Sequence, residues 1–375
     1  MAAASVVVER CLMSRLMLLV LVGAMVGLAI IAGVASGSAG AVFPGANGKI
    51  AFTSQRDGNH EIYVMNPDGS AQVNLTNHGA GDLTPAWSPD GSKLAFVSFR
   101  LNAGLYVMNA DGSSPTRISG AGIDAEPSWS PDGTKMALRR GFGSFVDPGI
   151  YIVNVDGSGE SKVPGTTIDD ELPAWSPDGS KIVFVSRLKG SQEIFVMNPD
   201  GSGRTALTGG SGTDVEPNWS PDGSKIAFAG GRDGNFEIYV MNADGSGQTR
   251  LTNNAAEDRH PAWSPDGTKI AFARREPLSF PCPCGHEPDI YVMNADGSGQ
   301  SLLTNDLASD GEPDWQPLAP PEPTPTPPPS LGGTAAYPDL ASGPGAAVLA
   351  ALATTVAAGA LALGGAAWRR RVAGR

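Results

Sequence analysis

Six aspartates recur at one register of this chain: Asp82, Asp124, Asp170, Asp214, Asp258 and Asp310 each stand three residues ahead of the proline in a Pro-x-Trp triplet. Carboxylate oxygens gathered into a ring are hard donors, and such a ring would suit Ca²⁺. Glu126, Glu216 and Glu312, one residue before the same proline, add charge in alternate copies, and His260 takes that place in another. Arginines recur too, at Arg56, Arg100, Arg139 or Arg140, Arg187, Arg232, and Arg274 or Arg275. The aspartates therefore have a second reading, as ion-pair partners or loop caps that brace the repeat. Recurrence in every copy favours this architectural role, since a ligand site normally breaks the symmetry.

A different chemistry is packed into Cys282-Pro283-Cys284-Gly285-His286. Two thiolates and an imidazole suit a soft metal, but the spacing is not a standard zinc pattern and a fourth ligand is missing. A local disulfide or an oxidised loop tip is the favoured alternative. The chain has four histidines, His60, His78, His260 and His286, and it lacks a Gly-x-Ser-x-Gly elbow and a phosphate-cradling glycine loop. No catalytic residues and no cofactor are expected, Ca²⁺ at the aspartate ring being the one candidate. A metal-assisted lyase or hydrolase using His78 and His260 is the residual enzymatic reading.

The elements that must position these residues follow from a repeat. Pro-x-Trp-Ser-Pro-Asp-Gly-(Ser/Thr)-Lys-Ile-Ala-Phe, a loop, Glu-Ile-Tyr-Val-Met-Asn-x-Asp-Gly-Ser-Gly and a closing Leu-Thr recur, with tryptophans at 87, 129, 175, 219, 263 and 315. Lys225 to Phe228 and Glu237 to Asn242 are rich in β-branched and aromatic residues without helical spacing, which marks strands. Ser220 to Gly223 and Asn242 to Gly247 carry glycine where a hairpin demands positive φ. Each unit thus has strands a (at the Trp), b (Lys-Ile-Ala-Phe), c (Ile-Tyr-Val-Met-Asn) and d (ending Leu-Thr). Both faces of strands b and c are largely apolar, so neighbouring units must cover one another. A period of this length built from short strands predicts an all-β, six-bladed propeller of four-stranded antiparallel blades.

Phase supplies closure. The first copy starts at strand b, with Phe43 where later copies have Trp, and the last strand a (Pro313 to Trp315) has no unit of its own, so pairing it with the first copy closes the ring. The strand-b Lys and strand-c Asn lie 16 to 19 residues apart in five copies but 25 apart in the last, Lys269 to Asn294, and the cysteines sit in that insertion. Insertions of this kind mark the face on which specificity is placed.

The Trp-Ser-Pro-Asp-Gly units resemble the TolB-type β-propeller repeat, a relative of the WD40 repeat. The resemblance spans about 270 residues and implies a six-bladed propeller used mostly for protein contacts. The α/β domain that precedes the TolB propeller has no counterpart here, so the Tol-Pal role is not transferred with the fold. The hydrolase domain that prolyl-oligopeptidase-type peptidases append to similar repeats also has no counterpart.

The ends point to the envelope. Arg10 and Arg15 precede an uncharged apolar run, Leu16 to Val34, and Ala39-Gly40-Ala41 supplies small residues for a signal peptidase. Residues 1–41 are read as a signal peptide cleaved after Ala41, an uncleaved signal anchor being the alternative. Residues 42–318 form the propeller, and residues 319–345 a proline-rich stalk of about 3 Å per residue. Residues 346–368 are uncharged and long enough for a transmembrane helix, with residues 369–375 as a basic cytoplasmic tail. A sortase-type signal near Leu331 to Ala335 is the competing reading of this end. The expected location is extracytoplasmic, with the chain anchored to the plasma membrane by its C-terminal helix.

Formal charge is −12; removing the +1 of residues 1–41 and the +2 of residues 319–375 leaves about −15 on residues 42–318. An acidic ring repels phosphate backbones, which argues against nucleic acid. With only Cys282 and Cys284 left after signal removal, the fold does not depend on disulfides. The expectation is a monomeric protein-interaction or scaffold module at the cell envelope. The alternative is glycan or small-ligand binding, with or without metal-dependent lyase activity, at the channel mouth.

Overall fold

Period-two alternation is what builds the blades. In the computed structural model the described residues are 43–318, except 102, 120–122, 143–146, 189, 211 and 278–286; the side chains of residues 123, 124, 142 and 188 are also outside the description. These residues form six four-stranded antiparallel sheets and no helix. The segments assigned to the signal peptide, stalk and membrane helix lie outside the described residues, as do Cys282, Cys284 and His286.

Strand a is Asp82–Trp87, Ile123–Trp129, Asp170–Trp175, Asp214–Trp219 and Glu257–Trp263 in blades two to six. In blade one it is Asp310–Leu318, which hydrogen-bonds to Ala46–Ser54, so the sheet order is last strand, first, second, third. The register sets Ile50 opposite Trp315 and Ser54 opposite Asp310. The first and last described strands are thereby joined within one sheet, as the phase of the repeat predicts. Trp315, not Phe43, fills the tryptophan position of blade one. Phe43 instead packs into the cluster that holds Trp129 and Trp175. Pro44 lines one hollow together with Pro177 and Pro221, and the Gly45 N–H donates to the Pro265 carbonyl at 3.2 Å. The segment entering the ring therefore runs beneath the a-to-b turns of other blades, a contact that repeat phase alone does not encode.

Each blade turns two different faces to its neighbours. Ala51, Ile62 and Val64 of blade one face Trp87, Leu94, Phe96 and Met108 of blade two, while Ile50, Phe52 and Met65 face Ala262, Ala271 and Ile290 of blade six. Successive residues point to opposite sides of a strand, so Ile-Ala-Phe places one small side chain towards the next blade and two large ones towards the previous blade. Large meets small at every interface, and Ile50, Ala51 and Phe52 are all 0 % exposed. Fully burying a large apolar side chain contributes about 1.5–3 kcal/mol, so the ring is held chiefly by these interblade contacts.

The turns satisfy themselves. In Ser88 to Gly91 the Gly91 N–H donates to the Ser88 carbonyl at 2.8 Å, and the Lys93 N–H donates to Ser88 Oγ at 2.9 Å. Asp90 Oδ1 accepts from the Ser88 hydroxyl at 2.6 Å and from the Ser92 N–H at 3.0 Å. The aspartates of the Ser-Pro-Asp-Gly and Asn-x-Asp-Gly turns thus hold their own hairpins. In Asp178 the Ser176 hydroxyl, followed by the Ser180 N–H, stabilises the ionised form and holds the carboxyl below the usual range. Strands b and d run away from these turns, so the b-to-c and d-to-a loops all gather on the opposite face.

Candidate functional site at the loop face

The recurrent aspartates begin strand a on the loop face, and each one whose side chain is described is sealed against an arginine. Asp82 pairs with Arg100 at 2.9 Å, Asp258 with Arg274 at 2.6 Å and Asp310 with Arg56 at 2.8 Å. Asp214 takes two donors from Arg232, Nε to Oδ1 at 2.9 Å and Nη2 to Oδ2. These carboxylates are 0 to 2 % exposed. Each guanidinium also lies over aromatic rings of its own blade, Arg100 at 5.6 and 5.5 Å from the Phe96 and Tyr106 centroids and Arg274 at 5.2 and 4.6 Å from those of Phe272 and Tyr291. The module is a carboxylate, a guanidinium and two neighbouring rings, with the ion pair and the cation–π contact acting on one cation.

Blade four departs from the sequence expectation. Arg187 is 57 % exposed and reaches only Glu171, at 3.9 Å. Asp170 is instead held by Arg204, from the c-to-d turn, at 2.7 Å from Nη2 and 3.0 Å from Nη1. Arg204 lies 4.8 Å from the Phe184 centroid and 5.0 Å from that of Phe195. Two residues and four residues past the strand-b Phe, blade four has Ser186 and Leu188, where other blades supply the arginine. The guanidinium then comes from a third route to the same position. In blade three the Asp124 backbone pairs opposite Arg140, which stacks 4.4 Å from the Tyr151 centroid and bonds Glu160 at 2.9 Å. A cation entering the aspartate ring would have to displace these arginines. Among the described residues no three His, Cys, Asp or Glu side chains come together as a metal-ligand group.

A second carboxylate set sits deeper. Glu126, Glu216 and Glu312 occupy positive-φ positions, at 60°, 59° and 56°, as do Thr84, Leu172 and His260 in the intervening blades. Each glutamate accepts from the backbone N–H of its counterpart in the next blade: Glu312 from Thr84 at 2.8 Å, Glu216 from His260 at 2.7 Å, and Glu126 from Leu172. Two residues on, the pattern repeats. Asp314 accepts from the Trp87 N–H at 2.7 Å, Ser128 from Trp175 at 3.0 Å and Asn218 from Trp263 at 3.0 Å. The matching positions in the other blades are Ala86, Ala174 and Ala262. Inner strands are therefore coupled as blades one with two, three with four, and five with six.

These glutamates differ electrostatically. Burial pushes the Glu216 carboxyl up, but Arg259, 2.7 Å away, and His260 outweigh it and leave it below the usual range. Glu312 has no such cation. Its desolvation, reinforced by Glu216 and Glu126 and opposed only by the Thr53 hydroxyl and Thr84 N–H, pushes it up to about 7. Asp314, wholly desolvated and opposed only by backbone donors, is pushed up to about 8.

Between blades six and one a cavity of about 220 Å³ opens on the loop face. Thr53, His60, Leu83, Arg259, His260 and Glu312 line it, with Arg275, Glu257 and Glu287 towards the rim. None of the recurrent aspartates lines it, whereas His260 and Glu312, two of the residues that precede the proline, do. Burial lowers both histidines, and for His260 this outweighs the opposing Glu216 charge. His78 is not among the lining residues. On the same face Phe99 (41 % exposed), Leu101 (102 %), Ile168 (44 %) and Leu307 (100 %) stand out from b-to-c and d-to-a loops.

Comparison with known proteins agrees with this architecture. A family model described as the TolB beta propeller domain matches residues 29–141 and 144–284. A protein TolB homolog of Chlorobium luteolum is 39 % identical over 72 residues, which is 19 % of this chain and 16 % of that protein. The Tol-Pal system protein TolB of Actinobacillus succinogenes is 36 % identical over 74 residues, 20 % of this chain and 17 % of that protein. The chain thus spans less than a fifth of the length of these relatives. The crystal structure of TolB from Acinetobacter baumannii superposes with a TM-score of 0.62 at 24 % identity, over 72 % of this chain and 67 % of that one, a likeness of fold.

Proposed function

The chain belongs to the TolB β-propeller domain family, and from that premise we propose that it is a protein-interaction module of the cell envelope whose docking surface is the loop face. The observation that carries this is the contrast between the two faces. The turn face repeats one polar, self-satisfied hairpin in blade after blade. The loop face varies between blades, exposes Phe99, Leu101, Ile168 and Leu307, and holds the cavity lined by His260 and Glu312, whereas the hollows of the turn face are lined by the repeated Ser-Pro-Asp-Gly turns. Exposed apolar side chains beside a concavity are what a partner buries. Both described ends, Phe43 and Leu318, lie on the turn face, so a tether continuing from Leu318 starts on the side away from the docking surface. A membrane anchor in residues 346–368, a signal peptide in residues 1–41 and a monomeric state complete the proposal.

The test is capture from envelope extracts with the full-length protein, comparing wild type with the Leu101→Asp/Leu307→Asp double variant. A defined protein that co-purifies with wild type and with a turn-face variant, Asp200→Asn, but not with the loop-face variant supports the proposal. Equal capture by all three, or retention on wall polysaccharide alone, overturns it. Fractionation of cells expressing a chain truncated after Leu318 tests the anchor, which requires release from the membrane.

A further inference from the structure

We propose that the cavity between blades six and one receives a single cationic side chain, a lysine ammonium or an arginine guanidinium presented by the protein that docks on the loop face; this rests on the docking reading above and names what that surface recognises. The cavity, about 220 Å³, lies below the ~300–1,000 Å³ of pockets for drug-sized ligands, which suits one side chain. Its own cations are already spent. Arg259 is 2.7 Å from Glu216 and stacks 4.2 Å from the Phe236 centroid, and Arg275 is paired with Glu257.

Acceptors are left over. Glu312, 5 % exposed, takes both of its hydrogen bonds on Oε2, from the Thr53 hydroxyl at 2.7 Å and the Thr84 N–H at 2.8 Å. Oε1 has neither and belongs to a residue that lines the cavity. His260, whose Nδ1 lies 3.4 Å from Glu216 Oε1, lines the same cavity. Glu287, exposed at the rim, supplies a further carboxylate. A carboxylate oxygen without a hydrogen bond, on a residue lining a concavity whose guanidinium groups are neutralised, makes a site for a donor-only group, and Lys and Arg are the donor-only cations among side chains. The formal charge of about −15 on residues 42–318 draws the same class of partner.

The full-length protein is titrated calorimetrically with N-acetyl-Leu-Lys-Leu-amide, with the same peptide acetylated on the lysine, and with its Glu counterpart. Binding of the lysine peptide is expected, with at least tenfold loss on acetylation or Glu replacement and in Glu312→Gln, several-fold loss in Glu287→Gln, and none in Asp200→Asn. Equal affinity for the acetylated peptide, unchanged affinity in both glutamate variants, or no binding of either a lysine or an arginine peptide by wild type overturns the proposal. Glu287 is exposed, so Glu287→Gln gives a reading even where Glu312→Gln does not fold. Loss of partner capture in the Leu101→Asp/Leu307→Asp variant without lysine-peptide binding removes this inference alone. Lysine-peptide binding without loop-face capture removes the docking reading alone.

Discussion

The recurrent aspartate is an anchor for a guanidinium held between ring faces, and its worth is testable in blade six. Asp258→Ala leaves the largely buried Arg274 without its carboxylate, and removal of one partner from a buried pair costs about 3–5 kcal/mol. Because Arg274 is 11 % exposed and keeps a 2.8 Å bond to Gln300, the lower end is expected, measured by urea denaturation. Added Ca²⁺ is expected to leave the melting temperature of wild type unchanged. Glu312 and Asp314 give a pH signature of the opposite sign to ordinary acid unfolding. Folding raises them from 4.5 to about 7 and from 3.8 to about 8. Between those limits the folded state binds more protons than the unfolded one, so their contribution is full below about pH 4 and declines as pH rises towards 8. Melting curves from pH 5 to 8 should fall for wild type and flatten in Glu312→Gln and Asp314→Asn. The aspartates and the pairing of charges were legible because both recur in the sequence. Arg204 was not, because an arginine two strands away in the chain can reach the same spot only once Ser186 and Leu188 leave it empty.

At the scale of the element, the hairpins and strand order were readable from alternation and from Asp-Gly turns, whereas the inner-strand coupling was only half visible. Alternate glutamates before the proline stand out, but Asp314, Ser128 and Asn218 share neither charge nor size, and their common role is to accept from a backbone N–H across the blade interface. Asn218→Ala leaves the buried Trp263 N–H without an acceptor and is expected to cost about 1–3 kcal/mol, read from chemical denaturation. The turns allow a matched comparison. Gly91 and Gly133 have φ of 66° and 67°, but a Cβ at Gly91 would sit 2.1 Å from the Pro317 carbonyl oxygen while one at Gly133 meets nothing nearer than 3.8 Å. Gly133→Ala should cost about 1 kcal/mol, the penalty of a left-handed residue. Gly91→Ala should cost clearly more, because it also pushes on the strand that closes the ring. Equal losses would mean that the closing strand yields without strain.

For the whole molecule, closure is the decisive contact. The strand Asp310–Leu318 contributes the inner edge of blade one and places Trp315 among Ile50, Phe52 and Ala271. Removing residues 310–316 uncovers a ladder edge and two blade faces, and insoluble or molten protein is the expected outcome. A cooperative melt at the wild-type temperature would contradict this. Phase and period in the sequence were sufficient for the ring and its seam. The cavity was not legible, because it is bounded by residues from five strands and three loops whose spacing in the chain exceeds two hundred residues, Thr53 to Glu312.

The coupling of inner strands two by two has a bearing on how the chain can be re-threaded. A circular permutant whose new ends fall between Ser119 and Ile123 leaves every donor and acceptor couple on continuous chain, whereas one opened between Pro164 and Thr166 parts Glu126 from Leu172 along the backbone. Refolding yield and thermal midpoint should rank the first above the second. The toroid then behaves as a triad of dimeric modules, and its natural units of duplication, exchange and loss would be about ninety residues long, two turns of the repeat rather than one.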